Sequence, residues 1–186
     1  MLNAAIIGLG SWGQKLVNSV HGKSDKIRIV RGVTRTIAKA EGFSNATGIP
    51  VGDDYDDVLA DPAIAAVIIA TPHSQHVDQI VRAAEAGKHV FAEKPLALTR
   101  ADAAKSFDAC ERAGVILAVG QNRRFLPAVR EIGRLIGENA LGQLLHCEAN
   151  FSGPTGERHA RSNWRGIPEE SPWGGMTPVL DRKSVV

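Results

Sequence analysis

Residues 4–13 read Ala-Ala-Ile-Ile-Gly-Leu-Gly-Ser-Trp-Gly, and this stretch decides the fold. A short apolar run leads into the spacing Gly8-x-Gly10-x-x-Gly13, and an amphipathic segment follows. A strand, a glycine-rich turn and a helix in this order are typical of a dinucleotide-binding βαβ unit. In such a unit Gly8 permits the tight turn, Gly10 lets the backbone approach a pyrophosphate, and Gly13 lets helix and strand pack closely. An ordinary glycine-rich turn without a ligand is the alternative.

The start of the predicted helix supplies the second part of this site. The free N–H groups of a helix start, together with the helix dipole, hold an anion such as a pyrophosphate. We therefore expect Ser11 and Trp12 to contact a cofactor along with the three glycines.

Composition narrows the class of protein. The chain has 186 residues, of which 44% are hydrophobic and 23% charged, as expected for one full globular domain and part of a second. A formal net charge of +2, without a basic stripe carrying aromatic residues, argues against nucleic acid as a partner. No uncharged apolar run reaches the roughly 18 residues of a membrane span. The first strand starts at once and leaves no room for a signal peptide, so we expect a cytoplasmic protein that binds no membrane.

Neither the cysteines nor the acidic residues predict a metal site. Cys110 and Cys147 have no metal-ligand spacing, and we interpret both as packing residues in a reducing compartment. The acidic cluster within residues 53–57 is better interpreted as a solvated face at a helix start than as a set of metal ligands.

The end of the second predicted strand bears on the choice of cofactor. This strand covers residues 26–33 and is followed by Thr34 and Arg35, about 20 residues past the glycines. A carboxylate at this position favours NAD, whereas a neutral residue followed by an arginine leaves room for a 2′-phosphate and pairs with it. The pattern therefore favours NADP, with NAD possible. A solvated surface arginine is the alternative for Arg35.

Strands and helices alternate along the first two thirds of the chain. Apolar runs at residues 65–70, 88–92 and 115–119 alternate with amphipathic segments, which predicts an α/β fold with a Rossmann-type doubly wound parallel sheet. Ligands of such sheets bind outside the carboxyl ends of the strands. Glycine and polar residues concentrate at those ends, so we expect the cofactor there.

Six polar or turn residues at these strand ends are further candidates for cofactor contacts. They are Thr71, Pro72, His73, His76, Asn122 and Arg123. A loop-bracing role is the alternative for His73, and a salt bridge at a helix start is the alternative for Arg123. Trp164 is interpreted as a packed side chain, although it could reach the site.

The pattern changes at Gln121, where we place the end of a first domain covering residues 1–121. A helix with Pro127 in its first turn and a strand over residues 144–151 then begin an incomplete second α+β domain over residues 122–180. Another helix begins near Thr99 with Asp102 as its capping partner. We expect these side chains of the two helices to point inward: Ala104, Phe107, Cys110, Val129, Ile132, Leu135 and Ile136.

Five motifs together resemble the Gfo/Idh/MocA family of nicotinamide-dependent oxidoreductases. They are Gly8-x-Gly10-x-x-Gly13, Ala70-Thr71-Pro72-x-x-x-His76, Ala86-Gly87-Lys88-His89-Val90, Glu93-Lys94-Pro95-Leu96-Ala97 and Asn122-Arg123-Arg124-Phe125. The resemblance continues through Trp164-Arg165 and residues 170–177, and it covers nearly the whole chain up to about Leu180.

The resemblance implies hydride transfer between NAD(P) and a sugar, cyclitol or related polyol. The family's catalytic lysine falls on Lys94, which would bond the reacting oxygen at the cofactor and help move its proton. Glu93 would contact the nicotinamide ribose, and Pro95 would shape the turn. An ammonium group beside the substrate oxygen stabilises the charge that hydride transfer leaves there. A surface lysine at a strand end is the alternative for Lys94.

The end of the chain departs from the family. The family pairs its lysine with an Asp and a His on a helix after the Gly-Gly segment, but residues 178–186 contain no histidine, and Asp181 is not given that role. Residues 181–186 match the translation of one frame of a common sequencing adapter, so we expect a gene cut near Leu180 and a non-native tail. We then expect an inactive fragment that lacks the family's homo-oligomeric contacts. A non-catalytic dinucleotide-binding regulator or a stand-alone cofactor-binding module is the alternative function.

Overall fold

The computed structural model describes residues 1–148 and 164–172, which contain one six-stranded parallel sheet. Its strands are β1 (Leu2–Ile7), β2 (Ile27–Val33), β3 (Val51–Gly52), β4 (Ala66–Ile69), β5 (His89–Ala92) and β6 (Leu117–Val119). Their order across the sheet is β3-β2-β1-β4-β5-β6, and every neighbouring pair is parallel. The predicted doubly wound parallel sheet of Rossmann type is confirmed.

Helices connect the strands and cover both faces of the sheet. They are α1 (Ser11–Val20), α2 (Glu41–Thr47), α3 (Tyr55–Ala60), α4 (His76–Glu85), α5 (Arg100–Arg112) and α6 (Pro127–Gly137). Short 3₁₀ helices precede α2, α4 and α6, and a further one forms at Trp164–Gly166. Among the described residues, no helix is long and apolar enough to cross a membrane.

The central strand β1 contributes to both layers of the core. Ala4 and Ile6 belong to the cluster that includes Val17 of α1, whereas Ala5 and Ile7 belong to the cluster beneath α3, α4 and α5. All four strand residues are at most 2% exposed. A parallel strand that is buried on both faces needs an unbroken apolar sequence, which explains the run before the first glycine.

The turn after β1 leaves no room for side chains at two of its glycines. Gly8 has a φ of +98°, and a Cβ atom there would lie 2.7 Å from the carbonyl oxygen of Ala70. A Cβ atom on Gly13 would lie 2.0 Å from the carbonyl oxygen of Gly8. Gly10 differs, because nothing lies within 4 Å of the Cβ position there. The first and third glycines are therefore required by the fold, and the second one leaves open space beside the helix start.

Lys88 is a buried cation with a structural role. Only 6% of the residue is exposed, and its Nζ donates hydrogen bonds to the carbonyl oxygens of Asp61 (2.7 Å) and Ile64 (2.8 Å). These bonds join the start of β5 to the loop before β4, and they satisfy a charge that would otherwise be costly to bury.

The predicted cap of α5 is confirmed, and of the side chains predicted to point inward Cys110 is confirmed, whereas Ala104 and Phe107 are wrong. The hydroxyl of Thr99 accepts the N–H of Asp102 at 3.1 Å and donates to its carboxylate at 2.7 Å. Phe107 is 54% exposed and Ala104 is also exposed, whereas the inward positions are Ser106, Ala109 and Cys110. Small residues on this face allow α5 to lie close against α4, and a phenylalanine would hold the helices apart.

Two further predictions beyond β6 are wrong over the residues that the structure describes. Val129, Ile132 and Ile136 of α6 are each more than 40% exposed, and Leu135 is only partly buried, because no described element covers that face. Residues 144–148 form no strand, and residues 149–151 lie outside the described part of the chain. Residues 181–186 also lie outside it.

One of the two cysteine interpretations is corrected as well. Cys110 is buried as predicted, but Cys147 is exposed and does not pack, because residues 144–148 have no strand or helix that would hold it inward. Both cysteines are free thiols.

The glycine geometry predicts a large difference between two alanine variants. Gly13→Ala forces a Cβ atom into the backbone of Gly8, so we expect the free energy of unfolding to fall by about 2 kcal/mol or more in urea titrations. Gly10→Ala is the matched control, since its Cβ atom meets open space and its φ of −68° suits any residue, and the free energy should change by less than about 0.5 kcal/mol. Equal losses in the two variants would contradict this account.

Candidate active site

The carboxyl edge of the sheet contains a cavity of about 570 Å³. Eight residues predicted from the sequence line it: Trp12, Thr71, His73, His76, Glu93, Lys94, Asn122 and Arg123. Ala70, Leu126 and Trp164 complete the lining. The segments that follow four strands, together with the 3₁₀ helix at Trp164, thus bring together side chains from Trp12 to Trp164.

The glycine turn and the start of α1 form one end of this edge. Gly10 precedes the helix in an extended conformation, and no side chain of the described residues caps the first turn at Ser11 and Trp12. The uncapped N–H groups of a helix start are the usual donors to a phosphate. Trp12 is 37% exposed and borders the cavity.

Thr34 and Arg35 lie at the end of β2, beside the glycine turn and outside the cavity lining. The N–H of Thr34 donates to the carbonyl oxygen of Gly52 at 2.9 Å, which fixes the strand end. Arg35 is exposed. The two residues therefore occupy the position where the adenine ribose lies in a dinucleotide fold.

Glu93 and Lys94 follow β5 and face the cavity. Glu93 is 7% exposed, and its Oε2 accepts the backbone N–H of Lys94 at 3.3 Å. A Cβ atom on Gly120 would lie 2.9 Å from Oε1 of the same carboxylate, so a larger residue there would push the Glu93 side chain out of its present position. The peptide bond between Lys94 and Pro95 is cis.

His76 joins two loops of the cavity wall. Its Nδ1 lies 2.8 Å from the carbonyl oxygen of Pro95, and its Nε2 lies 3.1 Å from that of Thr71. A neutral imidazole donates to one of these oxygens, and a protonated one donates to both. Complete burial lowers the pKa of His76, although both carbonyl contacts act in the opposite direction. With both nitrogens against backbone oxygens, the ring links the turns after β4 and β5.

His73 is held by a segment that lies far away in the sequence. Its Nδ1 lies 2.7 Å from the carbonyl oxygen of Glu170 and therefore carries the proton when the ring is neutral. The ring of Trp164 meets it edge to face, with 4.9 Å between centroids and 81° between planes. Burial lowers the pKa of His73 from 6.5 to about 4, and nearby His76 and Lys94 act in the same direction. The bracing role weighed for His73 is thus present in the structure.

The remaining predicted residues sit at the turns. Pro72 precedes the 3₁₀ helix His73–Gln75, and the hydroxyl of Thr71 donates to the side-chain oxygen of Gln79 at 2.7 Å. Asn122 and Arg123 begin another 3₁₀ helix and are exposed at the cavity mouth. No group of three or more His, Cys, Asp or Glu side chains in the described ranges could hold a metal ion.

Sequence reasoning gave no site role to Ser74, Gly120 or Glu170. Ser74 and Glu170 interact across 96 positions, and no local pattern announces such a contact. Gly120 could have been suspected, since a glycine directly after a buried strand often marks a close approach. Trp164 was interpreted as a packed residue, and it both packs on His73 and lines the cavity.

A comparison with protein families assigns residues 2–121 to a model described as an oxidoreductase family with an NAD-binding Rossmann fold. The chain belongs to the Gfo/Idh/MocA family. The resemblance drawn from the five motifs is therefore confirmed.

Individual relatives support the same assignment. The chain is 37% identical over 150 residues to a scyllo-inositol 2-dehydrogenase (NAD(+)) of Bacillus subtilis, which covers 78% of this chain and 43% of that protein. It is 30% identical over 167 residues to a 2,7-anhydro-N-acetylneuraminate hydratase of Mediterraneibacter gnavus, with 90% and 44% covered. A crystal structure of a proposed NADPH-dependent oxidoreductase from Desulfitobacterium hafniense superposes with a TM-score of 0.89 at 29% identity, covering 98% of this chain and 52% of that one. The chain thus spans about half the length of the relatives that it matches.

The depressed pKa of His73 predicts a loss of stability in acid. Below pH 6.5 the unfolded chain binds a proton at this residue, whereas the folded chain does so only near pH 4, so the stabilisation is complete above pH 6.5 and is lost as the pH falls. His73→Gln should reduce the difference in the free energy of unfolding between pH 7 and pH 5 by roughly 2 kcal/mol, measured in urea.

Two comparisons make this measurement specific. His76 also has a lowered pKa, so the His73→Gln variant should keep part of the acid sensitivity. His146→Gln controls for the removal of an exposed histidine outside the cavity. An acid sensitivity in His73→Gln equal to that of the wild type would refute the assignment.

Proposed function

We propose that the chain is the cofactor-binding half of an NADP-preferring oxidoreductase that transfers a hydride between the nicotinamide and a sugar, cyclitol or related polyol. The observation that carries this proposal is the position of Lys94. Its side chain lines the same cavity as the buried carboxylate of Glu93, and the open glycine turn lies at the same sheet edge.

The residues at this edge fit a dinucleotide. Gly8 and Gly13 permit the close turn between β1 and α1. Gly10 has no side chain and leaves open space next to the uncapped start of α1. In that space a pyrophosphate would accept hydrogen bonds from the backbone N–H groups of the helix start. The bound nicotinamide supplies the hydride or receives it. The further contacts are proposed for Ser11, Trp12, Thr71, Pro72, His73, His76, Asn122 and Arg123.

In this proposal Lys94 contacts the substrate and Glu93 contacts the cofactor. Hydride removal from a carbon bearing a hydroxyl requires that the hydroxyl proton leave, and the reverse reaction leaves negative charge on the oxygen. In the oxidation direction the side-chain nitrogen of Lys94, as a neutral amine, accepts the hydroxyl proton and becomes an ammonium. In the reverse direction the ammonium donates that proton to the oxygen and stabilises the charge that develops there. Glu93 accepts hydrogen bonds from the hydroxyl groups of the nicotinamide ribose.

The preference for NADP rests on the end of β2. Thr34 offers no carboxylate to a ribose diol, and the exposed guanidinium of Arg35 can pair with a 2′-phosphate in a bidentate manner. The similar Desulfitobacterium protein supports this preference, whereas the Bacillus dehydrogenase carries NAD(+) in its name. The polyol substrate is supported by the inositol dehydrogenase among the relatives.

The organisation of the whole protein is proposed from the same resemblance. A first domain ends at residue 121, and a second domain would complete the substrate side and form a homo-oligomer. We also propose a cytoplasmic location, which the two free thiols support because a reducing compartment keeps cysteines unpaired.

Replacement of Lys94 tests the catalytic part of the proposal. The source gene is first read past codon 180, and the protein is made at the length of its relatives. Turnover is then measured as the formation of NADPH that depends on an added polyol. We expect Lys94→Ala to lower kcat by about a hundredfold or more while the Kd for NADPH changes by less than about threefold. Lys105→Ala, which removes an exposed lysine of α5, is the control.

Other outcomes of this experiment have defined meanings. A continued chain that binds NADPH but oxidises no polyol would favour the alternative function, which is a non-catalytic dinucleotide-binding regulator or a stand-alone cofactor-binding module. Full turnover in Lys94→Ala would reject the assigned role of this lysine.

A second experiment addresses the choice between NADP and NAD. We expect the chain to bind NADPH more tightly than NADH, and Arg35→Ala to weaken NADPH by about ten- to a hundredfold through loss of a charge-assisted contact. Binding of NADH should change by less than about twofold. Arg28→Ala, at the opposite end of β2, is the matched control, and tighter binding of NADH by the wild type would contradict the proposal.

A further inference from the structure

Residues 164–171, which we name the clasp segment, attach to the cavity wall through one buried side chain. The carboxylate of Glu170 accepts the N–H of Ser74 at 3.0 Å and the hydroxyl of Ser74 at 2.5 Å. The backbone carbonyl oxygen of Glu170 accepts a hydrogen bond from Nδ1 of His73 at 2.7 Å. Glu170 is 7% exposed and Ser171 is 6% exposed. Three hydrogen bonds therefore fasten the clasp segment to two consecutive residues.

These two residues begin the 3₁₀ helix His73–Gln75, which leads directly into α4. Helix starts need acceptors for their free N–H groups and favour negative charge. Pro72 and Gln75, the local cap positions, form no side-chain cap. Glu170 supplies that acceptor from 96 positions away in the sequence.

The clasp segment also carries Trp164 to the cavity. The indole packs edge to face on His73, which also donates to the carbonyl of Glu170. Trp164, His73 and Lys94 line the same cavity. The position of the indole in the wall thus depends on the attachment of Glu170, because the two residues share one short segment.

We propose that Glu170 is a positioning residue that holds Trp164 in the cavity wall on the side where Lys94 would meet the nicotinamide. This inference rests on the proposed dinucleotide site. Without the carboxylate, the N–H and hydroxyl of Ser74 lose their acceptor, the clasp segment detaches, and the cavity opens on the side of Lys94.

The first test compares NADPH binding by the 186-residue chain and its variants. We expect Glu170→Ala to raise the Kd for NADPH about tenfold, on the scale of lost hydrogen bonds to a charged group. Glu169→Ala removes the neighbouring exposed carboxylate and should leave the Kd within about twofold. Glu170→Gln keeps an acceptor oxygen at the same place and should restore most of the affinity.

The second test follows Trp164 itself. The chain has three tryptophans, so the fluorescence of Trp164 is obtained as the difference between each protein and its Trp164→Phe counterpart, with Trp12 left in place. Bound NADPH quenches a nearby indole by energy transfer, and at saturation we expect the quenched fraction to fall by at least about half in Glu170→Ala. Trypsin cleavage after Arg165 should accelerate about tenfold in the same variant, on the scale of the same lost contacts.

Ser74→Ala provides a milder change if Glu170→Ala folds poorly. It removes the hydroxyl and keeps the backbone N–H, so we expect a loss of affinity smaller than the tenfold loss expected for Glu170→Ala. Unchanged affinity, quenching and cleavage in the Glu170 or Ser74 variants, with NADPH bound normally by the wild type, would overturn the positioning role alone. A wild-type chain that binds neither NADPH nor NADH would overturn the proposed function and this inference together.

Discussion

The contact between the start of α1 and the end of β1 is the constraint on which the rest of the structure depends. A Cβ atom on Gly13 would approach the carbonyl oxygen of Gly8 to 2.0 Å, so the helix rests directly on the strand. The same turn touches the end of β4, where a Cβ atom on Gly8 would lie 2.7 Å from the oxygen of Ala70. One glycine turn thereby sets the spacing between the end of β1 and the end of β4, which carries the loop with His73 and His76.

The sheet and most of its helices could be predicted because their signals are local. The apolar run of β1, the alternation of strands and helices, and the cap between Thr99 and Asp102 depend on residues close together in the sequence. The inward face of α5 could not be predicted in this way. The orientation of α5 depends on its close approach to α4. A close approach favours small residues such as Ala109 at the contact and leaves the larger Phe107 outside. The apolar stripe of α6 failed for a related reason, since an amphipathic pattern identifies a face but not the element that covers it.

In the candidate site, too, the features that depend on local sequence could be predicted, and those that depend on contacts between distant segments could not. The positions of Lys94, Glu93 and the two histidines at the edge follow from the rule that ligands lie at the carboxyl ends of parallel strands. The fit between Gly120 and the carboxylate of Glu93 and the attachment of Glu170 to Ser74 do not follow, because they arise between segments that only the folded sheet brings together. Residues that bear chemistry were thus easier to find than the residues that hold them in place.

The two histidines also set the charge of the cavity wall. Burial keeps both rings neutral at pH 7, although His76 has a carbonyl oxygen against each nitrogen, and a protonated ring would serve those oxygens better. A charged imidazolium at 6.0 Å from its neighbour, next to Lys94, would repel further positive charge in a partly buried space. The oxidised nicotinamide of the proposed cofactor is itself a cation. Neutral imidazoles beside the buried carboxylate of Glu93 therefore suit the nicotinamide ring of the proposed cofactor, and in the same proposal Lys94 meets the substrate oxygen.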